Sequence, residues 1–288
     1  MRTMKIIAEI ITFNPDIKIL KENIDSIYPQ VDSLLIVDND SRNFLEIKKL
    51  LSRYCNIKLI KNPHNLGIAQ ALNQGLNFAK ENNFSWIFTL DQDSLCGNFL
   101  IQEYKNYIEN YMTNKTIILT PQILDLNSKK NVLQNENESK YENVNFAITS
   151  GSLINITNAF KIGCFDQKLF IDYVDYDFCI NAINHKYEIV KVNKAILYHR
   201  LGEIKEYNMQ IFKVEVTNHS PLRRYFLFRN KIILYKKYLW TNSYWVTKNI
   251  LSSLKVFIKI MIFEKQKKDQ FINILKGLND GFKYKEKL

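Results

Sequence analysis

The chain lacks most of the devices that would tie it covalently or wrap it around a standard cofactor. Its four cysteines, Cys55, Cys96, Cys164 and Cys179, form no Cys-x-x-Cys pair and keep no regular spacing. That argues against a disulfide framework and reads as free thiols in a reducing compartment. The first apolar run is followed by Phe13-Asn14-Pro15, where a dinucleotide fold would need G-x-G-x-x-G, so a nicotinamide cofactor is not expected. A P-loop is also missing, as is any internal repeat. No run is both long enough and free enough of charge to read as a membrane span. The opening stretch Ile6 to Phe13 is broken by Glu9 and lacks a small-residue cleavage site, so it does not read as a secretion signal.

What is present is an ordinary globular composition, 46% hydrophobic and 24% charged over 288 residues. That length suits one large domain, or a domain with an appendage, able to bury a substantial core. The net charge of +11 is unevenly placed. Residues 221–288 carry 16 Lys/Arg against 4 Asp/Glu, and the remainder is close to neutral. An anionic partner is expected for the last quarter alone. A nucleic-acid-binding core would carry a basic face of its own.

Before that quarter, strand and helix patterns alternate. Lys5–Phe13, Ser33–Val37, Ile57–Ile60 and Trp86–Leu90 are β-branched or apolar runs that read as buried strands. Between them, apolar residues keep helical spacing (Ile17, Leu20, Ile24, Ile27; then Phe44, Ile47, Leu50, Leu51; then Ile68, Ala71, Leu72, Leu76). Asn14-Pro15 reads as the N-cap and first turn of the first helix. Alternation of this kind predicts an α/β fold with a mostly parallel sheet and right-handed crossovers.

Three of these strands end in small polar or acidic groups: Thr12-Phe13-Asn14, Asp38-Asn39 and Asp91-Gln92-Asp93. In a parallel sheet those ends share the carboxyl edge, where open α/β sheets place their ligands. Asp91 and Asp93 would repel one another unless a cation lay between them, and Mg²⁺ or Mn²⁺ suits a carboxylate pair that also meets substrate phosphates. Asp38 could accept from a ribose or base donor, or simply cap the following helix. Asn65-Leu66-Gly67 either brings backbone amides to a nucleotide or just starts a helix.

Further on, Gly97–Tyr111 reads as a helix, Thr116–Gln122 as a strand and 125–143 as a polar excursion or small hairpin. Within the alternating run Asn145–Ile156, Gly151 marks a bulge, a close backbone approach or a simple kink. Phe170-Ile171-Asp172-Tyr173-Val174-Asp175-Tyr176-Asp177 is an acidic cluster in aromatic surroundings. Asp175 there falls at a helix start, which the dipole favours anyway, but apolar neighbours would also tune it as a general base. Ala195–His199 is a short strand whose terminal His199 could reach a metal held by Asp93. In the tail, Leu222 to Lys237 reads as an aromatic, basic helix. Residues 240–263 mix Trp, Tyr, Ile and Phe with Lys248, Lys255 and Lys259, a pattern suited to a membrane interface or to a solvated helical subdomain.

Taken in order, Thr12-Phe13-Asn14-Pro15, Val37-Asp38-Asn39, Asn65-Leu66-Gly67-Ile68-Ala69, Leu90-Asp91-Gln92-Asp93-Ser94, Thr149-Ser150-Gly151-Ser152, Phe170-Ile171-Asp172-Tyr173-Val174-Asp175 and His199-Arg200-Leu201-Gly202-Glu203 resemble the family 2 glycosyltransferases. Within that family the likeness is to the bacterial rhamnosyltransferases. The resemblance implies a GT-A fold with a C-terminal helical appendage. It divides the chain into a catalytic domain, 1–220 (nucleotide half 1–95, acceptor half 96–220), and a basic segment, 221–288. It implies that Thr12, Phe13, Asn14, Asp38, Asn39, Asn65, Gly67, Asp91 and Gln92 serve the nucleotide. Asp93 and His199, with Asp91, would hold Mg²⁺ or Mn²⁺, and Asp175 would be the catalytic base. Val174 stands where the family carries Glu, and Asn181 or Asn184 where it carries Arg.

The activity implied is inverting transfer of L-rhamnose from dTDP-L-rhamnose to a lipid-linked saccharide for the cell surface. It would take place on the cytoplasmic face of an anionic membrane, with no nucleic acid involved. A transferase using a UDP-sugar, or a membrane-binding module with a degenerate site, would share much of this pattern.

Overall fold

A computed structural model describes residues 4–125, 139–199, 205–208, 213–216, 219–264 and 266–284. Contacts divide the chain into two units, residues 1–170 with 174–200, and residues 171–173 with 201–288.

The first unit begins with β1 (Ile6–Thr12), α1 (Ile17–Ile27), β2 (Ser33–Asp38), α2 (Phe44–Leu51), β3 (Ile57–Lys61), α3 (Ile68–Glu81) and β4 (Trp86–Asp91). There follow β5 (Leu95–Cys96), α4 (Leu100–Asn110), β6 (Thr116–Asp125), β7 (Tyr141–Val144), β8 (Ser152–Asn155), α5 (Ile156–Lys161), α6 (Val174–Asn184) and β9 (Glu188–His199). The strands form one sheet in the order β3-β2-β1-β4-β8-β6-β9-β5, with β7 pairing β9. β3, β2, β1 and β4 are all parallel, as the alternating pattern requires. β8 runs antiparallel to β4 and β6, while β6 and β9 are again parallel.

β1, β2 and β4 are apolar on both faces. Ile6, Ile7, Ala8, Ile10, Leu34 to Val37, Ile87 and Phe88 are fully buried, as expected of strands covered by helices on each side. Glu9 is the exception: it lies in the middle of β1, fully buried. Neither of its carboxyl oxygens has a hydrogen-bond partner. Gly75 of α3 makes the room, because a Cβ there would lie 2.2 Å from the Glu9 carboxyl carbon.

Several local expectations shift. The first helix is capped by Asp16, whose side chain accepts from the Lys18 and Ile19 amides (2.8 and 3.0 Å), so Asn14-Pro15 is not its cap. Asn14 instead takes a left-handed conformation, φ 48°. Of the run Asn145–Ile156 only Ser152–Asn155 is strand, since Gly151 turns the chain at φ 84°. The segment 126–138, most of the expected excursion, lies outside the described residues, as do Arg200 to Glu203.

The second unit contains the hairpin β10 (Lys205–Asn208) and β11 (Lys213–Val216), then α7 (Pro221–Tyr238), α8 (Ser243–Phe263) and α9 (Lys267–Lys283). Ser220 caps α7 through the Arg223 amide, and Pro221 at the first helical position suits its fixed φ. Phe228, Ile260 and Ile274 centre a small core. The ion pair Arg224–Glu264 is buried within this unit, its side chains 3% and 4% exposed. No described helix is long and apolar enough to cross a membrane.

Candidate active site

The parallel register brings the three polar strand ends together. Thr12 sits opposite Asp38, and Ile11 opposite Asp91. The edge is then knitted by side chains. Thr12 Oγ1 donates to Asp38 (2.9 Å), and the same carboxylate accepts the Ser41 amide (3.0 Å) and the Ser41 hydroxyl. Ser41 Oγ in turn accepts the Asn14 amide at 2.8 Å, and the Asn14 side chain accepts the Arg42 amide at 2.8 Å. Thr12, Asp38 and Asn39 are all buried. Asp38 therefore organises the turn after β2; the cap position of α2 belongs to Asn43.

Asn39 extends the network. Its side chain donates to the Gly67 carbonyl (3.3 Å) and accepts from Asn62 (2.8 Å), which also exchanges bonds with Gln74. Asn65 accepts the Gly67 amide at 2.9 Å. Gly67 has φ 83°, and a Cβ there would sit 2.4 Å from the Phe170 carbonyl oxygen. That carbonyl accepts the Ile68 amide at 2.7 Å, so only glycine allows this approach. On the outer side, Phe13 is 47% exposed. Its amide donates to the Gln92 side chain at 2.9 Å, which fixes the turn after β4 against the turn after β1.

Asp91, Asp93 and His199 meet at this edge: one ligand atom from each lies within 4.8 Å of the others. The two-residue strand β5 accounts for the position of His199. Leu95 pairs with Tyr198 on β9, so the next residues outward, Ser94 and His199, face each other. Ser94 Oγ contacts His199 Nδ1 at 2.7 Å and Ser150 Oγ at 2.9 Å, while Ser150 also accepts the Asp91 amide at 3.1 Å. Both serines are buried. With Nδ1 engaged, the other ring nitrogen of His199 is the one suited to a cation. From α1, Asn23 donates to the carbonyls of Asp91 (2.8 Å) and Ser94, clamping the turn.

Two carboxylates and an imidazole so held fit Mg²⁺ or Mn²⁺, which take carboxylate oxygens and complete their shell with water and phosphate. Gly151 is explained without a ligand. A Cβ there would press on Pro121 and Leu197 at 2.8 Å, and the Gly151 carbonyl accepts the Tyr104 hydroxyl at 2.7 Å. The tight turn sets Ser150 beneath Asp91.

Asp175 lies in the first turn of α6, half-buried, and accepts the Tyr176 amide at 2.8 Å. The Tyr176 ring stacks on Phe146 at 4.0 Å. Asp177 is buried beside Cys179, whose thiol is pushed up to about 12 by burial and, to a smaller degree, by these two carboxylates. Asn23, Ser94 and Ser150 were given no separate role by sequence. The usable signals were a serine directly after Asp-x-Asp and a Ser-Gly pair late in the same half.

The model of the family described as Glycosyl transferase family 2 matches residues 9–164. A dTDP-rhamnosyl transferase, RfbF of Shigella flexneri, is 29% identical over 246 residues, 81% of this chain and 80% of its own. Among solved structures, residues 1–349 of S. aureus TarS in complex with UDP-GlcNAc match with TM-score 0.55 and 16% identity, over 98% of this chain and 73% of that one. This chain spans 44% of the longer TarS structure. GalNAc-T7 with UDP, GalNAc and Mn²⁺ matches with TM-score 0.63 and 11% identity, over 98% of this chain and 56% of that one. These likenesses show that the fold is GT-A.

Proposed function

The chain belongs to glycosyl transferase family 2, and from that membership we propose that it moves L-rhamnose from dTDP-L-rhamnose, with inversion, to a hydroxyl of a lipid-linked saccharide in cell-surface polysaccharide synthesis. That it is a glycosyltransferase with a nucleotide-sugar donor follows from the family. The choice of donor is supported by the dTDP-rhamnosyl transferase relative. The observation that carries the site is the meeting of Asp91, Asp93 and His199 at the carboxyl edge.

In this reading Asp93 and His199, with Asp91, hold Mg²⁺ or Mn²⁺. Bound there, the ion offsets charge on the departing diphosphate. Thr12, Asp38 and Asn39, buried and mutually bonded, keep the strand ends in place. Phe13, Asn14, Asn65, Gly67 and Gln92 shape the nucleotide cleft. Asp175 takes the proton from the acceptor hydroxyl as it attacks the anomeric carbon. The basic tail meets an anionic membrane at the cytoplasmic face, each basic residue near the surface contributing about 1 kcal/mol.

The test is release of nucleoside diphosphate from a panel of nucleotide-sugars with Mg²⁺ or Mn²⁺. Turnover of dTDP-rhamnose is expected, reduced about 10²–10³-fold in Asp93→Ala, the scale of losing one electrostatic element of a transfer site. Preference for a UDP-sugar would overturn the donor. Unchanged turnover in Asp93→Ala would overturn the site.

A further inference from the structure

Within the second unit, α7, α8 and α9 line a groove of about 630 Å³, inside the range of about 300–1,000 Å³ usual for ligand sites. Its walls are mostly hydrocarbon: Phe228 and Ile232 from α7, Ile250, Leu254 and Phe257 from α8, and Leu275 from α9. Of the 21 residues of α8, only Val246 and Ile260 are buried, so the trough stays open to water. An apolar surface of this extent is unfavourable unless something covers it.

Two lysines, Lys231 and Lys236, share the lining, and Lys231 is the one out of keeping with its surroundings. Lys231 is 5% exposed, yet no hydrogen bond or ion pair joins its ammonium to another described residue. It lies instead 5.0 Å from the Phe228 ring and 5.9 Å from the Tyr173 ring. Burial, with help from nearby Arg224, pushes its pKa down to about 8, against a weaker pull from Asp172. The surrounding charges are otherwise committed. Arg224 pairs with Glu264, Arg223 with Asp172 at 3.0 Å, and Lys236 donates to the Phe282 and Tyr284 carbonyls. A largely buried lysine that faces rings and has no acidic partner, in a segment with 16 basic and 4 acidic residues, is open to an anion that enters the groove.

We propose that this groove binds the hydrocarbon tail of a lipid phosphate, with its phosphate at Lys231, and that the lipid is the one carrying the acceptor saccharide. A neutral chain would have no use for Lys231, and a polyanion would have no use for the hydrocarbon walls. The identification of the lipid rests on the acceptor being lipid-linked; the binding itself requires no transfer.

The test is calorimetric titration of the full-length protein with farnesyl monophosphate below its micelle concentration, compared with farnesol and with inorganic phosphate. The phosphate ester should bind at least about tenfold more tightly than the alcohol, as a charge-assisted contact warrants. Lys231→Met should bring the two to parity, and its thermal transition reports whether it folds. Ile250→Trp, which fills the trough, should weaken both at least about tenfold, and its thermal transition reports whether it folds. Asp93→Ala should bind the ester as wild type does; if the wild-type protein failed to turn over dTDP-rhamnose while still binding the ester, the donor reading would fall and the groove would stand. Equal affinity for ester and alcohol would overturn the proposal. So would an unchanged preference in Lys231→Met, wild-type binding in Ile250→Trp, or a response only to anionic phospholipid vesicles.

Discussion

The strand edge of the first unit and the helices of the second bury polar groups in opposite ways. At the edge, Asp38 is surrounded by Thr12 and Ser41, and Ser94 is shared by Ser150 and His199. Polar atoms there answer one another, so the geometry is set before any ligand arrives. In the helical unit, Lys231 has rings where an acceptor would be expected, and α8 leaves Leu251, Ile258 and Ile262 exposed beside Lys248, Lys255 and Lys259. A closed polar network gives precision; an open apolar face with a lone cation needs a partner to complete it.

The comparison is broken most severely where the helical unit buries a charge pair of its own, Arg224–Glu264. Glu264→Ala would take from the buried Arg224 its paired carboxylate, at a cost of about 3–5 kcal/mol. Denaturant unfolding should show it, whereas Arg224→Met combined with Glu264→Leu should come out near neutral. If the single and double variants matched, the pair would not be acting as a buried pair.

A smaller effect tests the strand edge. Ser94→Ala keeps both carboxylates and the imidazole but frees the ring orientation. Mn²⁺ affinity, read by paramagnetic titration, should fall about 10–100-fold, with little change in the unfolding midpoint. Wild-type affinity would mean that β5 and β9 alone fix His199.

These two tests fall on features of unequal visibility in the sequence. The parallel strands were legible because Ile6–Thr12, Ser33–Asp38 and Trp86–Asp91 are continuous apolar runs that stop in polar residues. The convergence of their ends then followed from topology. The pair β5–β9 was not legible: two residues carry no periodicity, and only the long-range register sets Ser94 against His199. The left-handed Asn14 was hidden for a similar reason. Its conformation is held by Ser41 and Arg42 from another turn, and the local sequence Asn-Pro reads equally well as a cap. α9 (Lys267–Lys283) went unread because its buried face, Gln270, Ile274, Gly277 and Gly281, contains one large apolar residue. Gly277 and Gly281 belong there because a Cβ at either would strike the α7 backbone, 2.4 Å from the Tyr225 carbonyl oxygen in the first case and 2.8 Å from that of Arg229 in the second. Close helix packing is invisible to a hydrophobic pattern.

The gentlest test returns to Glu9, a carboxylate buried in the middle of β1 with no hydrogen-bond partner for either oxygen. Burial raises its pKa well above the usual carboxylate range; the Gly75 backbone offsets part of this without reaching hydrogen-bond geometry. The folded state therefore keeps a proton that the unfolded chain releases above its ordinary pKa. Stability must fall as pH rises from that ordinary value toward the raised one, because the native state binds more protons throughout the window. Gln is close in shape and carries no titrating proton. Glu9→Gln should thus flatten this part of the pH–stability curve and leave the variant more stable than wild type at pH 7, by about 1.4 kcal/mol for each pKa unit spanned below that pH. Urea midpoints at pH 5 and pH 7 measure it. A variant less stable at both would mean that the Glu9 carboxyl makes a bond that the amide cannot replace, and the sheet would then be as fully paired inside as it is at its edge.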